Sequence, residues 1–118
     1  MSRVGIIGVG SFVPETIVTN SDLEKIMNTD EEWIRTRTGI EERRIVGEDM
    51  DTSHMAIIAA RNALRDASLH ASDIDMVLVA TATPDYAFPS VACLVQEALE
   101  MRSVPAMDVS AACSGFVY

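Results

Sequence analysis

Cysteine is scarce in this chain: Cys93 and Cys113 are the only two among 118 residues. Two thiols in a chain without a secretion signal do not make a disulfide framework. With only His54 and His70 for company they do not make a tetrahedral metal site either, so no metal is expected. Long apolar runs are missing too. The most apolar stretch, Val4–Val13, is punctuated by Gly5, Gly8 and Gly10 and closed by Pro14, far short of the ~20 residues that span a bilayer. It reads as a buried strand and not a signal peptide, which places the protein in the cytoplasm without membrane contact. Positive charge is also in short supply. Nine Lys and Arg against eighteen Asp and Glu leave a net charge of −9, which disfavours nucleic acid and anionic membranes as partners. No internal repeat and no low-complexity linker interrupts the chain.

What is present suits a globular α/β protein. Hydrophobic residues make up 48% of the sequence, enough for one compact core and too little chain for two ordinary domains. Residues 3–10 read as a fully buried strand. Asn20 or Ser21 caps a helix that starts at Asp22-Leu23-Glu24 and ends near Asn28. Asp30–Arg35 forms a second short helix, broken at Gly39, and Ile40–Val46 a short strand. Asp51 or Ser53 caps a long helix to about Leu69, whose Ala56, Ala59, Ala60, Ala63 and Ala67 imply close packing on more than one side. Met76–Ala82 is a continuous apolar, β-rich run, expected as a central strand buried on both faces. Pro89 opens a helix over Ser90–Met101, and Val104–Val109 is a last strand. Alternation of this kind gives a sheet with covering helices.

Several motifs carry chemistry, and each also has a plain structural reading. Gly8-Val9-Gly10 hints at a dinucleotide loop, but Val13 stands where a small residue is needed and Pro14-Glu15 replaces the helix; the glycines read as a tight turn. Arg35, Arg37, Arg43 and Arg44 cluster on an acidic chain. On charge alone they form a solvated face fed by Glu31, Glu32, Glu41 and Glu42, with a nearby anionic ligand as the functional alternative. Trp33 and Arg37 are four apart on a helix and share a face, where an indole and a guanidinium can stack on a base and hold a phosphate; taken alone, an intrahelical contact is the commoner origin of such a pair. Pro84–Pro89 carries Asp85, Tyr86 and Phe88 as a rigid loop, packed on its own domain or reaching a partner or pocket. His54 and His70 read as structural or exposed.

The run Asp108-Val109-Ser110-Ala111-Ala112-Cys113-Ser114-Gly115-Phe116 is the most informative. A strand ends in small residues, and Cys113 stands where a helix begins, uncovered and beside the positive end of the helix dipole. That is how a chain prepares a sulfur nucleophile for acyl transfer. The apolar Phe116-Val117-Tyr118 follows immediately, so the chain reads as part of a larger protein.

Gly8–Pro14, Asp30–Ile40, Phe88-Pro89-Ser90 and Asp108–Gly115 together, in order along the whole chain, resemble β-ketoacyl-acyl-carrier-protein synthase III. A single one of these motifs would mark a wider group that includes chalcone synthases and hydroxymethylglutaryl-CoA synthases. The resemblance implies a thiolase-like fold of two similar α/β halves, with residues 1–118 covering most of the first and the C-terminal half absent. It implies a cytoplasmic homodimer that begins fatty acid biosynthesis, with acyl-CoA and malonyl-acyl carrier protein as substrates and no cofactor. The family's nucleophile falls on Cys113, its coenzyme A contacts on Thr29, Trp33 and Arg37, and an aromatic at the dimer and acyl pocket on Phe88. The bulk of Phe88 favours a short primer such as acetyl-CoA. The family's catalytic His and Asn fall downstream of Tyr118, so the isolated segment is expected to be inactive. Two alternatives stand beside this one: a related condensing enzyme with a different primer, and a non-enzymatic α/β interaction domain whose cysteine is merely buried.

Overall fold

A computed structural model describes residues 4–118. In place of a single core, the chain divides into two compact units, one built from residues up to Phe12 together with Asp51–Tyr118, the other from Val13–Met50.

The first unit is organised by a βαβ motif. Strand β3 (Val77–Ala80), helix α4 (Val91–Ala98) and strand β4 (Ala106–Val109) follow one another, and the two strands pair in parallel with Val79 opposite Asp108. Parallel pairing requires a crossover, and α4 provides it. The crossover helix lies on the sheet by burying Val91, Ala92 and Val95 against Val77 and Val104. Each valine taken from water contributes about 1.5 kcal/mol or more. Helix α3 (Thr52–Ala67) adds Ala56, Ile57 and Ala60 to the same cluster.

The other side of α3 accounts for its small residues. The segment 8–11 runs along it, with the Val9 N–H donating to Asp66 at 2.9 Å and the Asn62 amide donating to the Ser11 carbonyl at 3.0 Å. Gly8 lies so close that a Cβ there would stand 2.6 Å from the Ala67 Cβ, and a Cβ at Gly10 would collide with the backbone of Ala59 and Ala63. The glycines therefore serve a close approach to a helix, not a tight turn.

Two strand expectations change. Residues 4–10 form no strand, and Val4, Ile6, Ile7 and Val9 are exposed; Arg3, where that strand is expected to begin, lies outside the described residues. Gly8 and Gly10 of this stretch pack against α3, and the Val9 N–H donates to Asp66 of that helix. Among the described residues, strand β3 is covered on one face. Val77 points to the core, while Leu78 and its register partner Met107 are exposed, because α3 and α4 cover a single side.

The second unit holds an antiparallel pair, β1 (Thr16–Thr19) with β2 (Glu42–Ile45), and two short helices, α1 (Asn20–Glu24) and α2 (Glu31–Thr38). Strand β1 is not expected from the sequence. Thr19, not Asn20 or Ser21, caps α1. Asn20 is instead buried, its amide donating to the Ile40 carbonyl at 2.8 Å and its Oδ1 accepting from Arg43 at 2.7 Å. Asp30 caps α2 by accepting from the Trp33 N–H at 2.7 Å. Gly39 ends that helix at φ 72°, a left-handed conformation that costs glycine nothing. Among the described residues, no helix is long and apolar enough to cross a membrane.

Candidate active site

Cys113 lies in the turn that follows β4. The backbone leaves the strand at Val109 and passes through Ala112 at φ 44°, a left-handed conformation that costs a residue with a Cβ roughly 1–2 kcal/mol. A 3₁₀ turn, Ala112–Ser114, follows, closed by the Ser114 N–H to the Ala111 carbonyl at 3.0 Å and the Gly115 N–H to the Ala112 carbonyl at 3.1 Å. Where an α-helix is expected to start at Cys113, the described residues hold this 3₁₀ turn, continued by the Val117 and Tyr118 N–H groups donating to the Ser114 carbonyl at 3.0 and 3.2 Å. Small residues make the turn possible. Gly115 is buried, and a Cβ on it would meet the Ala80 Cβ at 3.0 Å. Among the described residues the thiol itself is exposed. Cys93, by contrast, is half-buried in α4, where its sulfur accepts from the Ser90 hydroxyl at 3.2 Å. Both histidines are exposed, and the His54 Nδ1 is occupied by the Asp51 N–H at 3.1 Å. No histidine among the described residues hydrogen-bonds Cys113.

Phe88 belongs to the same unit, on the loop 81–90 between β3 and α4, and is 87% exposed beside a 58% exposed Tyr86. Two aspartates to which the sequence assigns no role hold this loop. Asp85 accepts from the Ser53 N–H at 2.9 Å, while the Thr52 hydroxyl donates to the Thr83 carbonyl at 2.8 Å. At the other end Asp108, from β4, accepts from both the Val91 and Ala92 N–H groups at 2.8 Å, two of the orphan donors that start α4. One signal for Asp108 is available in the sequence: a lone carboxylate within an apolar strand must find donors.

Thr29, Trp33 and Arg37 belong to the second unit. Thr29 and Trp33 line one surface hollow with Asn28 and Asp30, and Arg37 stands a turn further along α2, in its last turn with Arg35. Trp33 is 55% exposed, and no ion pair holds Arg37 among the described residues. The arginine cluster separates by role. Arg43 is committed to the Val18 carbonyl and Asn20, and Arg44 to the Pro14 carbonyl and to Glu42 at 3.7 Å, leaving Arg35 and Arg37 on the helix. Nearby, the Lys25 ammonium at 2.8 Å and the Thr19 hydroxyl at 2.6 Å hold the Asp22 carboxyl well below the usual carboxylate range, and Asp22 in turn raises Lys25.

No protein-family model matches the chain. Curated relatives do. It is 62% identical over 116 residues to the β-ketoacyl-[acyl-carrier-protein] synthase III of Bacillus pumilus, covering 98% of this chain and 37% of that protein. It is 63% identical over 114 residues to the enzyme of the same name from Geobacillus kaustophilus, with 97% and 37% covered. Among solved structures, the 3-oxoacyl-[acyl-carrier-protein] synthase III of Aquifex aeolicus superposes with a TM-score of 0.92 at 53% identity, over 96% of this chain and 36% of that one. The priming β-ketosynthase of the R1128 polyketide pathway superposes at 0.90 with 37% identity, over 94% and 33%. The chain therefore spans a little over a third of the length of the curated relatives it matches.

Proposed function

Over the segment it spans, the chain belongs to the β-ketoacyl-[acyl-carrier-protein] synthase III family, with the α/β fold of these condensing enzymes, and we propose that the whole protein performs a decarboxylating Claisen condensation through Cys113. In this reading residues 1–118 are most of the first of its two α/β halves, and the remainder supplies the catalytic His and Asn. The Cys113 sulfur attacks the carbonyl of a short acyl-CoA, with acetyl-CoA preferred. A new C–S bond forms, and the coenzyme A thiolate leaves. The exchange of one thioester for another is close to thermoneutral, which suits a sulfur nucleophile. The backbone N–H of Cys113 serves as one donor to the oxyanion. Malonyl-acyl carrier protein then loses carbon dioxide, and its carbanion attacks the acyl-cysteine. A C–C bond forms, the cysteine thiolate departs, and a 3-oxoacyl-acyl carrier protein is released, the first step of fatty acid synthesis.

Thr29, Trp33 and Arg37 bind the adenine and phosphate of coenzyme A: an exposed indole offers a stacking face and the guanidinium a charge. Phe88 limits the acyl pocket across a homodimer. The protein works in the cytoplasm and needs no cofactor. The observation that carries this reading is the exposed Cys113 on its strained turn after β4. Its test is intact and peptide mass spectrometry of the full-length protein after acetyl-CoA. An acetyl group on Cys113, absent from Cys113→Ser and retained in Cys93→Ser, is the expected outcome; an adduct on Cys93 or none at all overturns it. Similarity to a priming β-ketosynthase of a polyketide pathway favours a second reading, a different primer, which rates across acyl-CoA lengths distinguish.

A further inference from the structure

We propose that Asp108 is a positioning residue that holds the Phe88 loop and the Cys113 turn in one arrangement, an inference that rests on the acyl-transfer reading for its meaning but not for its measurement. Three observations carry it. Asp108 is the penultimate residue of β4, opposite Val79, and Cys113 follows it by one strand residue and three small ones. Its two carboxylate oxygens are used separately, Oδ2 on the Val91 N–H and Oδ1 on the Ala92 N–H, both at 2.8 Å. Those two amides open α4 immediately behind the loop that displays Phe88, and both residues are fully buried in the core.

The bidentate contact does more than cap a helix. Ser90 already caps α4 locally, its hydroxyl accepting from the Cys93 N–H at 3.2 Å. Asp108 adds a link between two elements, so a shift of α4 would be transmitted to the end of β4 and into the strained Ala112–Cys113 turn. The first end of the loop is held differently. Asp85 ties it to the start of α3, away from β4. One carboxylate therefore orders the loop alone, and the other orders the loop together with the nucleophile's turn. With Phe88 reaching the acyl pocket across a homodimer, Asp108 ties each protomer's nucleophile turn to the loop it offers its partner.

The experiment compares Asp108→Asn, Asp108→Glu, Asp85→Asn and a control, Asp73→Asn, in the full-length protein. Asp73 caps an unrelated turn by accepting from the His70 N–H at 2.9 Å. Hydrogen exchange and the iodoacetamide alkylation rate of Cys113 are read for each. Asn at position 108 keeps one acceptor and turns a donor toward the other N–H, so exchange at residues 91–92, 81–90 and 110–116 rises about tenfold or more, the equivalent of one charged hydrogen bond. The Cys113 alkylation rate changes with it. Asp85→Asn raises exchange in 81–90 without moving the Cys113 rate, and Asp73→Asn moves neither. Asp108→Glu, which retains both acceptors on a longer arm, shows the same pattern at smaller size and serves if the Asn variant does not fold. An unchanged Cys113 rate in the Asp108 variants, or an equal change in Asp85→Asn, overturns the proposal. Acylation adds a separate arm: Asp108→Asn alters the ratio of acetyl-CoA to butyryl-CoA acylation rates while Asp73→Asn does not. Absence of acylation in the wild type would refute the acyl-transfer reading, while exchange and alkylation would still judge Asp108.

Discussion

In the unit that carries Cys113 and Phe88, five apolar residues, Val77, Val91, Ala92, Val95 and Val104, form the buried cluster. In the unit that carries Thr29, Trp33 and Arg37, the most buried side chain is an amide, Asn20, with Ile34 behind it. Both units set helices against a two-stranded sheet. One does so by removing hydrocarbon from water, the other by satisfying a buried polar group from a neighbouring carbonyl and a guanidinium. The contrast suits the two tasks proposed for them. A nucleophile on a strained turn needs a framework that does not yield, and apolar burial combined with carboxylate caps provides one. A surface that stacks on a ligand needs only a helix held at its ends and an exposed face.

Four tests bear on that contrast, in falling order of effect. Gly10→Ala forces a Cβ into the backbone of α3 at Ala59 and Ala63, and is expected to cost about 3 kcal/mol as an overpacked contact. Urea denaturation of the full-length protein measures it, and a cost near zero would mean that segment 8–11 is not anchored on α3. Asn20→Ala leaves the Ile40 carbonyl and the Arg43 guanidinium short of a partner, at about 2 kcal/mol. Hydrogen exchange localises the loss to residues 16–45. Exchange rising equally through α4 would show that the two units do not divide as described.

Third, Trp33→Ala and Arg37→Ala each raise the KM for acyl-CoA about tenfold with kcat unchanged, because a stacking or charge contact made equally in ground and transition states is lost. A fall in kcat at constant KM would place these residues with the chemistry instead.

The smallest effect is on pH. The Asp22 carboxyl is held down in the folded chain by Lys25 and Thr19. Its contribution to α1 is therefore complete above the ordinary carboxylate value of about 4 and is lost as pH falls below it. The Lys25 contribution, raised by Asp22, is complete below the ordinary lysine value and is lost as pH rises beyond it. Amide shifts of Asn20–Glu24, followed by NMR, trace the acid side. Thr19→Val moves that loss toward the ordinary range, and no movement would remove Thr19 from the network.

Much of this is legible in the residues alone. Asp30, Glu31 and Glu32 ahead of Trp33, with Gly39 behind, specify α2 at both ends. The alanines of α3 announce packing on two sides, and both sides are used. Cys113 stands out because a cysteine flanked by small residues after an apolar strand is left uncovered, which a packing role would not require. Other features are not legible. Strand β1, Thr-Ile-Val-Thr, is too short to show a period, and it exists through its pairing with β2. The leading segment has the composition of a strand, yet its Val9 N–H and Ser11 carbonyl pair with Asp66 and Asn62 of a helix about fifty residues away. Nothing local distinguishes those two outcomes.

Residue chemistry and short-range spacing settle what kind of chain this is: an acidic α/β segment with one cysteine set among small residues, and an indole and a guanidinium on one helix face; its likeness to a condensing enzyme comes from the resemblance of its motifs. Folding settles the rest: that Cys113 sits on a 3₁₀ turn, that Gly8 and Gly10 face α3, that Arg43 is structural, and that Asp108 joins β4 to α4. Each of these is a contact between residues distant in sequence or a backbone angle imposed by such contacts. A carboxylate carries no local mark of which amides it will find.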